Sequence, residues 1–348
     1  MPDRQQGADR RTIAAGVLAM VLLSGNFVAS RHGLAAGLAV ADLVLLRTSF
    51  AGLVLGGVLW RVGLGGLPTG RAAVLTLLAG APYFLLCAAA VQFAPATHAS
   101  ILNPGGTMLF APLLGWWVLR QAPEIGVRVG LFILTAGLLL IGGASLAEGG
   151  SRAWVGDLML IFSGLIWALY GVLMRHWKVP GARAAAVVGT ASLLWVPVHL
   201  GVFGLGGLPD HPREAVIQAA YQGIISGGVA VLLYSRAVAL LGPARGALLP
   251  PLVPALGVFW AWLLLGEAVT ATQVAGMALV IIGMLCGALW RGKTVRRRTD
   301  PVREAALISP YATYGDAADA SPAAALPRHR RLLPGLRRGH GDRHGNGA

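Results

Sequence analysis

The sequence predicts an all-α membrane protein with ten transmembrane helices, arranged as two inverted repeats of five helices each. Of its 348 residues, 56% are hydrophobic and only 12% are charged, whereas soluble domains average about 25% charged residues. Apolar runs of about 20 residues, the length that a helix needs to cross the hydrocarbon of a bilayer, recur along the chain. The second half also repeats the proline and glycine pattern of the first half.

Ten apolar runs follow one another with short connections between them. They cover residues 13–30, 43–60, 73–93, 100–119, 127–146, 154–173, 185–205, 219–240, 247–265 and 274–290. The first run occupies the position of a signal peptide, but it is long enough to span a membrane, and further spans follow it without a soluble domain. It is therefore predicted to be the first helix. Because the connections are short, helices that are neighbours in sequence should pack as antiparallel neighbours.

The two halves match at an offset of 146 residues. The matched pairs are Gly25 and Gly171, Pro104 and Pro250, Gln121 and Glu267, Gly130 and Gly276, and Gly137 and Gly283. Chance agreement is the alternative in a chain with 49 glycines, but the common register of prolines, glycines and hydropathy favours a duplication. Five helices per copy is an odd number, so the second copy is inverted in the membrane, as in many secondary transporters. The repeats are assigned to residues 13–147 and 153–290.

Cationic residues decide the predicted orientation, because cytoplasmic loops carry an excess of them. If the N-terminal segment 1–12 is cytoplasmic, the inner loops hold Arg61, Arg71, Arg120, Arg128, Arg175, Lys178, Arg183 and Arg245. The outer loops then hold only Arg31, Arg152 and Arg213. An even number of spans places the C-terminus on the same side as the N-terminus. The sequence therefore predicts a multi-pass inner-membrane protein with both termini in the cytoplasm.

The segment after Trp290 is basic, with 12 of the 28 Lys and Arg residues against 5 of the 14 Asp and Glu residues. Its first part is a juxtamembrane cluster of Arg291, Lys293, Arg296, Arg297 and Arg298. Such a cluster suits anionic lipid headgroups at about 1 kcal/mol per cation. This location favours membrane lipids over nucleic acid as the partner of the positive charge. Residues 299–348 have no hydrophobic periodicity and are predicted to be disordered.

The sequence contains no arrangement of residues that indicates an enzyme. A phosphate-binding loop of the G-x-x-x-x-G-K-[ST] type is absent from the sequence, so an ATP-driven pump is not predicted. The histidines are scattered and have no cysteine partners nearby, so neither a metal site nor a cofactor is predicted.

The candidate substrate-binding residues are polar and aromatic side chains within the spans, because such residues are costly in lipid and usually face a path or the bundle interior. They are Asn26, Tyr83, His98, Asn103, Thr107, Trp167, Tyr170 and Tyr234. Ser100, Asn103 and Thr107 fall on one face of the fourth helix. The alternative is that these hydroxyls and amides bond a neighbouring helix or an i−4 carbonyl and hold the bundle together. Trp167 and Tyr170 form an aromatic stripe on the sixth helix, which likewise either packs against neighbouring helices or forms the wall of a site.

Three short runs resemble the EamA-type transporters of the drug/metabolite transporter superfamily. They are the Tyr-Ser-Arg-Ala run at 234–237, the Leu-Val-Pro run at 252–254, and the Leu-Gly-Glu run at 265–267, which is followed by a helix with glycines at 276 and 283. The resemblance identifies Arg47 and Arg236 with the arginines that these transporters carry in corresponding helices. For both, snorkelling to the membrane surface is the alternative to an anion contact or a gating role. Glu267 resembles the family's glutamate and is predicted to cap the tenth helix. The first repeat departs from the family in carrying Gln121 at the equivalent position.

The resemblance implies a secondary transporter, usually an exporter, of a small metabolite, amino acid or amphiphilic drug by alternating access. A membrane-embedded structural, assembly or lipid-handling protein without transport activity is the alternative. The expected partners are a small-molecule substrate and membrane lipids. The sequence leaves open whether the protein forms a homodimer.

Overall fold

The computed structural model describes residues 2–147 and 151–289, which form helices and contain no β-strand. The basic cluster and residues 299–348 lie outside the described residues, so the predictions made for them stay predictions. The helices are α1 (Pro2–Ser24), α2 (Asn26–Ala35), α3 (Val40–Val62), α4 (Thr69–Ala79), α5 (Ala81–Phe93), α6 (Ala96–Leu119), α7 (Ile125–Ala147), α8 (Ala153–His176), α9 (Gly181–Ala191), α10 (Trp195–Phe203), α11 (Pro212–Gln218), α12 (Val231–Gly246), α13 (Leu252–Leu265) and α14 (Ala271–Leu289). A 3₁₀ turn (Ser192–Leu194) precedes α10, and a π-helical segment (Ala219–Ala230) precedes α12.

Eight of the ten predicted spans are confirmed as stretches of helix that are long and apolar enough to cross a membrane. The all-helical class is therefore confirmed. The two that do not meet this standard are α6, which contains Pro104 and Pro112, and α13, which has only 14 residues. A helix of that length rises about 21 Å, less than the roughly 30 Å of bilayer hydrocarbon.

The ninth helix begins later than the sequence predicted. It was expected from residue 247, but α13 begins at Leu252, after a turn that holds Pro250 and Pro251. Each proline removes a backbone donor and disfavours helical geometry in the residue before it, so two in succession delay the helix. The predicted end of the eighth span at residue 240 agrees better with the structure, since Gly242 leaves helical geometry at φ 77°.

A break at Gly25 divides the first span into α1 and α2. In the last turn before the break, the carbonyl of Leu22 accepts a hydrogen bond from the hydroxyl of Tyr221 at 2.8 Å. The same phenol packs so close to Gly25 that a side chain at this position would collide with it. The break sets Asn26 at the start of α2, where its side chain turns towards α3.

Helices α7 and α14 cross with their backbones in contact at four glycines. A Cβ at Gly130 would lie 2.5 Å from the carbonyl oxygen of Gly283, and one at Gly137 would lie 2.6 Å from that of Gly276. Small residues permit this approach between membrane helices. Because the chain order of the partners is reversed along the contact, the two helices run antiparallel. Gly130 and Gly276 are repeat mates, as are Gly137 and Gly283, so the crossing joins equivalent helices of the two halves.

Helices α6 and α8 also approach closely at glycines. A Cβ at Gly164 would lie 2.7 Å from the backbone nitrogen of Thr107 and 2.8 Å from the carbonyl oxygen of Asn103. This approach brings the side chains of Asn103 and Ser163 within hydrogen-bonding distance, at 2.7 Å.

Replacing Gly137 by alanine should destabilise the protein, because the added methyl group meets the backbone of α14. Overpacking of this kind costs about 1–3 kcal/mol, which lowers the thermal midpoint of the purified protein in detergent. Gly142 lies on the same helix with nothing within 4 Å of the equivalent Cβ position, so Gly142→Ala is the matched control. Equal midpoints for the two variants would show that the crossing is not tightly packed.

Candidate functional site

A cavity of about 780 Å³ lies between the helices of the two halves. Eight residues that the sequence singled out line it: Asn26, Arg47, Tyr83, Asn103, Thr107, Trp167, Tyr170 and Tyr234. They come from α2, α3, α5, α6, α8 and α12, so the cavity gathers side chains that are far apart in the chain. Its volume falls within the roughly 300–1,000 Å³ of typical small-molecule sites. The substrate-binding roles of these residues stay predictions.

Asn103 is fixed in the cavity wall by two hydrogen bonds. Its side-chain nitrogen donates to the hydroxyl of Tyr83 at 3.2 Å and to that of Ser163 at 2.7 Å. Thr107 lies one turn further along α6, and its hydroxyl donates to the carbonyl of Asn103 at 3.0 Å. Both residues therefore line the cavity and also take part in the bonds within the bundle that the alternative interpretation expected. Ser100 donates to the carbonyl of Ala96 at 2.8 Å and is outside the lining.

Aromatic rings form a continuous part of the wall. The ring centroids of Tyr83 and Trp167 are 4.9 Å apart, and those of Trp167 and Tyr170 are 5.3 Å apart. Phe84 meets Tyr83 edge to face at 5.1 Å. Rings at these separations attract one another and present a stiff apolar surface. This surface suits the apolar part of a bound molecule.

Arg47 brings a positive charge into the cavity wall about two turns from the start of α3. Its side chain is buried, with 8% of the residue exposed. One guanidinium nitrogen donates to the side-chain oxygen of Asn26, and the guanidinium carbon lies 3.8 Å from the centroid of the Phe84 ring. A cation over an aromatic face is stabilised by the ring quadrupole. The arginine therefore contacts the interior of the bundle rather than extending to a membrane surface, and its fork can bind a carboxylate.

The cavity opens at the end of the bundle that carries the loop between α6 and α7. Gln121, Ala122 and Glu124 of that loop line it and are exposed. Arg175, near the C-terminal end of α8, lines the same region. The opposite end of α8 begins at Ala153, about 35 Å away by helical rise, and its first residues do not line the cavity.

His98, which was predicted from the sequence as a substrate-binding residue, lies outside the cavity. Its Nδ1 is 2.9 Å from Asp157 Oδ1 and 3.4 Å from the Ser145 hydroxyl, and its Nε2 is 2.8 Å from the side-chain nitrogen of Gln273. Ser145 also donates to Asp157 Oδ2 at 2.5 Å. The reason is helical geometry, since five residues separate His98 from Asn103 and turn the two side chains about 140° apart. His98 therefore joins α6 to α7, α8 and α14.

Glu267 caps α6 and not the tenth helix. Its two carboxylate oxygens accept hydrogen bonds from the backbone nitrogens of Ala96 at 2.8 Å and Thr97 at 2.9 Å. The tenth helix, α14, has its own cap, in which the Thr270 hydroxyl accepts from the Gln273 backbone nitrogen at 3.2 Å and the Gln273 side chain accepts from the Thr270 backbone nitrogen at 3.0 Å. This reciprocal T-x-x-Q pattern is visible in the sequence.

Arg236 is also outside the cavity, on an exposed face of α12. Of Arg47 and Arg236, the two arginines identified through the family resemblance, only Arg47 contributes its charge to the cavity lining.

A buried polar row in the eighth span was not predicted from the sequence. Its members are Glu214, Gln218, Gln222 and Ser226, spaced four residues apart, and Ser226 lines the cavity. The even spacing was a usable signal, because residues four apart share a helix face.

Two further polar contacts lie at the end of the bundle opposite the cavity mouth. Asp42 Oδ2 accepts from the backbone nitrogens of Ala39 and Gly207, each at 3.1 Å. His199 Nε2 is 3.4 Å from Asp42 Oδ1, and both side chains are almost fully buried. Within residues 2–147 and 151–289, no cluster of three or more histidine, cysteine or acidic side chains could hold a metal ion.

The fold and the cavity define a class: a multi-pass helical membrane protein with a central space between two repeats. The model of the EamA-like transporter family matches residues 10–143 and again residues 154–287. The chain therefore belongs to the EamA-like transporter family, and the resemblance inferred from the sequence is confirmed. The two matches also confirm the duplicated architecture.

Three bacterial proteins are similar to this chain over much of their length. The chain is 31% identical over 223 residues to the "Probable amino-acid metabolite efflux pump" of Salmonella typhimurium, covering 60% of this chain and 73% of that protein. It is 23% identical over 217 residues to the "Uncharacterized transporter YoaV" of Bacillus subtilis, covering 61% and 73%. It is 29% identical over 305 residues to the "Uncharacterized protein PA1977" of Pseudomonas aeruginosa, covering 78% and 95%.

A solved crystal structure supports the fold. It superposes with a TM-score of 0.54 at 19% identity, covering 80% of this chain and 97% of the other. At this identity the likeness concerns the fold alone.

Replacing Glu267 by glutamine should weaken the contact between the end of α13 and the start of α6. The neutral amide retains one acceptor oxygen for two backbone donors, and hydrogen bonds to a charged group are the stronger ones. We expect a loss of about 1–2 kcal/mol in stability, seen as a lower thermal midpoint in detergent. Asp210→Asn, which changes an exposed carboxylate, is the control. An unchanged midpoint for Glu267→Gln would argue against a capping role.

Proposed function

We propose that this chain is a ten-helix secondary transporter of the inner membrane that exports a small metabolite by alternating access between two inverted halves. The observation that carries the proposal is the cavity, which is open at one end of the bundle and has a buried cation, Arg47, in its wall. A structural or assembly protein needs no such space, so the cavity favours transport over that alternative.

The count of ten spans includes α6 and α13. Helix α6 has 24 residues and connects two confirmed spans through short loops, so it must return across the membrane between them. Its prolines lower its hydropathy, and prolines are tolerated in membrane helices where neighbours or a cavity supply partners. Pro104 and Pro112 of α6, and Pro250 and Pro251 before α13, all line the cavity.

The inverted arrangement is supported by the crossing of α7 and α14. These helices occupy equivalent places in the two repeats and run antiparallel through matched glycines. Two repeats that faced the same way would carry equivalent helices in parallel. Opposed repeats are the arrangement from which alternating access follows in many secondary transporters.

The distribution of cations supports a cytoplasmic cavity mouth. Arg120, Arg128, Arg175 and Lys178 lie at the end of the bundle where the cavity opens, and cytoplasmic loops are enriched in such residues. In this orientation both termini are cytoplasmic and the described state loads substrate from the cytoplasm. That is the state an exporter needs first.

The lining favours a substrate with one carboxylate and an apolar body. Arg47 and Asn26 provide a cation and an amide for the carboxylate, while Tyr83, Trp167 and Tyr170 provide an aromatic surface. Amino acids and related small carboxylates carry both features. The Salmonella relative is named for amino-acid metabolite efflux, which agrees with this class. Amphiphilic drugs are the second candidates, because the aromatic wall would accept them without the carboxylate.

The proposal predicts that Arg47→Gln slows export of carboxylates. Proteoliposomes loaded with a mixture of amino acids should release a subset faster with the wild-type protein than without protein. Loss of a charged hydrogen bond of about 1.5–3 kcal/mol should weaken this binding at least tenfold. Efflux at low substrate concentration should fall accordingly.

Arg236→Gln is the matched control, since it removes the same charge outside the cavity. Substrate-induced thermal stabilisation of each variant shows whether the protein is folded and binds. Equal loss in both variants would contradict the role of Arg47. Absence of any protein-dependent release from wild-type liposomes would contradict the transport function itself.

A further inference from the structure

The buried polar row of the eighth span continues the cavity towards the opposite end of the bundle. Glu214, Gln218, Gln222 and Ser226 are 7%, 1%, 2% and 0% exposed. The first two lie on α11 and the last two on the π-helical segment, so the row follows one face through both elements. Buried glutamines are rare without hydrogen-bonding partners.

These side chains are linked by hydrogen bonds into a chain that reaches the surface. The Gln222 side-chain nitrogen donates to Gln218 Oε1 at 2.6 Å, and the Gln218 side-chain nitrogen donates to Glu214 Oε1 at 2.6 Å. Glu214 Oε1 is 3.0 Å from Nδ1 of His32, whose side chain is half exposed. This series of hydrogen bonds therefore begins in solvent at His32 and leads inward along the row.

The inner end of the row meets the closed end of the cavity. The Ser30 hydroxyl is 3.4 Å from Gln222 Oε1 and donates to the carbonyl of Asn26 at 3.1 Å. Asn26 and Ser226 both line the cavity. The polar row, with Ser30 and His32 of α2 facing it, is called the polar seam below. It connects the cavity to the surface at the end opposite the mouth.

Two features make the polar seam more than a means of holding helices together. The Ser226 hydroxyl is buried and has no hydrogen-bonding partner among the described residues, although an unsatisfied buried hydroxyl costs free energy. The seam also lies partly in π-helical backbone, which is rare and tends to occur at functional sites. Apolar side chains would pack here without needing any partner.

We propose that the polar seam is the closed second half of the transport path, through which the substrate leaves after the cavity mouth has closed. This inference rests on the proposed transport function. When α2 and the eighth span separate, the hydrogen bonds between them break: Ser30 with Gln222, His32 with Glu214, and the Gln218 side-chain nitrogen with the Ala29 carbonyl. Water and then substrate can replace these bonds at little net cost, because such exchanges are nearly balanced. Apolar side chains along this path would offer a polar substrate neither hydrogen-bond donors nor acceptors. The seam thus suits a small polar metabolite.

The first test is Gln222→Leu, which keeps the size of the side chain and removes its hydrogen bonds. Substrate should still stabilise the variant thermally, because the open side of the cavity is intact, while its efflux from proteoliposomes should be about tenfold slower. Gln92→Leu is the control: it makes the same change at an exposed glutamine outside the cavity lining and the seam. Wild-type efflux by Gln222→Leu would overturn the proposal, whereas no efflux by the wild type would instead contradict the transport function.

The second test measures access to the seam directly and does not depend on the activity of a leucine variant. Cys87 and Cys286 are replaced by alanine, and a single cysteine is placed at Gln218 or at Ile224, which is exposed on the outer face of the same span. A membrane-impermeant thiol reagent added from the periplasmic side should modify the Gln218→Cys protein, and faster with substrate supplied to the cytoplasmic side. It should not modify Ile224→Cys. No modification at position 218 during measured transport would overturn the proposal.

Discussion

Polar side chains inside an apolar helix bundle must find partners, and this requirement decides where the helices of this protein meet. Asn103 joins α6 to α5 and α8 through Tyr83 and Ser163, and Arg47 joins α3 to α2 through Asn26. At the end away from the cavity mouth, His98 and Asp157 join α6 to α8. Because lipid offers no hydrogen bonds, these contacts are more selective than apolar packing alone. The glycine crossing of α7 and α14 then brings the halves close enough for the contacts to form.

The two ends of the bundle differ at one pair of repeat mates. Glu267 at the end of α13 holds the start of α6 with both carboxylate oxygens. Its counterpart at the end of α6 is Gln121, which is exposed at the cavity mouth. A carboxylate binds backbone donors about twice as strongly as a neutral acceptor does. The duplicated helices therefore carry a strong contact at one end and none of that kind, among the described residues, at the end where the cavity opens.

Much of this arrangement could be predicted from the sequence because hydropathy and helix periodicity act locally. The runs of apolar residues located the spans, and the cost of polar groups in lipid selected Asn26, Asn103 and Tyr170, which the structure brings to one cavity. Contacts between distant segments could not be predicted in the same way. The partner of Glu267 lies 171 residues away along the chain, and that of His98 depends on which way α6 is rotated. The delayed start of α13 follows from the two prolines before it. Hydropathy alone did not predict this delay, because residues 247–265 are apolar throughout.

A single distance experiment tests the central claim, that one cavity is exposed alternately at the two ends. Spin labels at positions 121 and 248 report the cavity mouth, and labels at positions 35 and 152 report the opposite end, each pair in a protein without Cys87 and Cys286. With substrate present, the distance distribution between the labels at the mouth should gain a shorter population. The distribution at the opposite end should gain a longer one. Distributions unchanged at both ends, in a sample that transports substrate, would contradict the account.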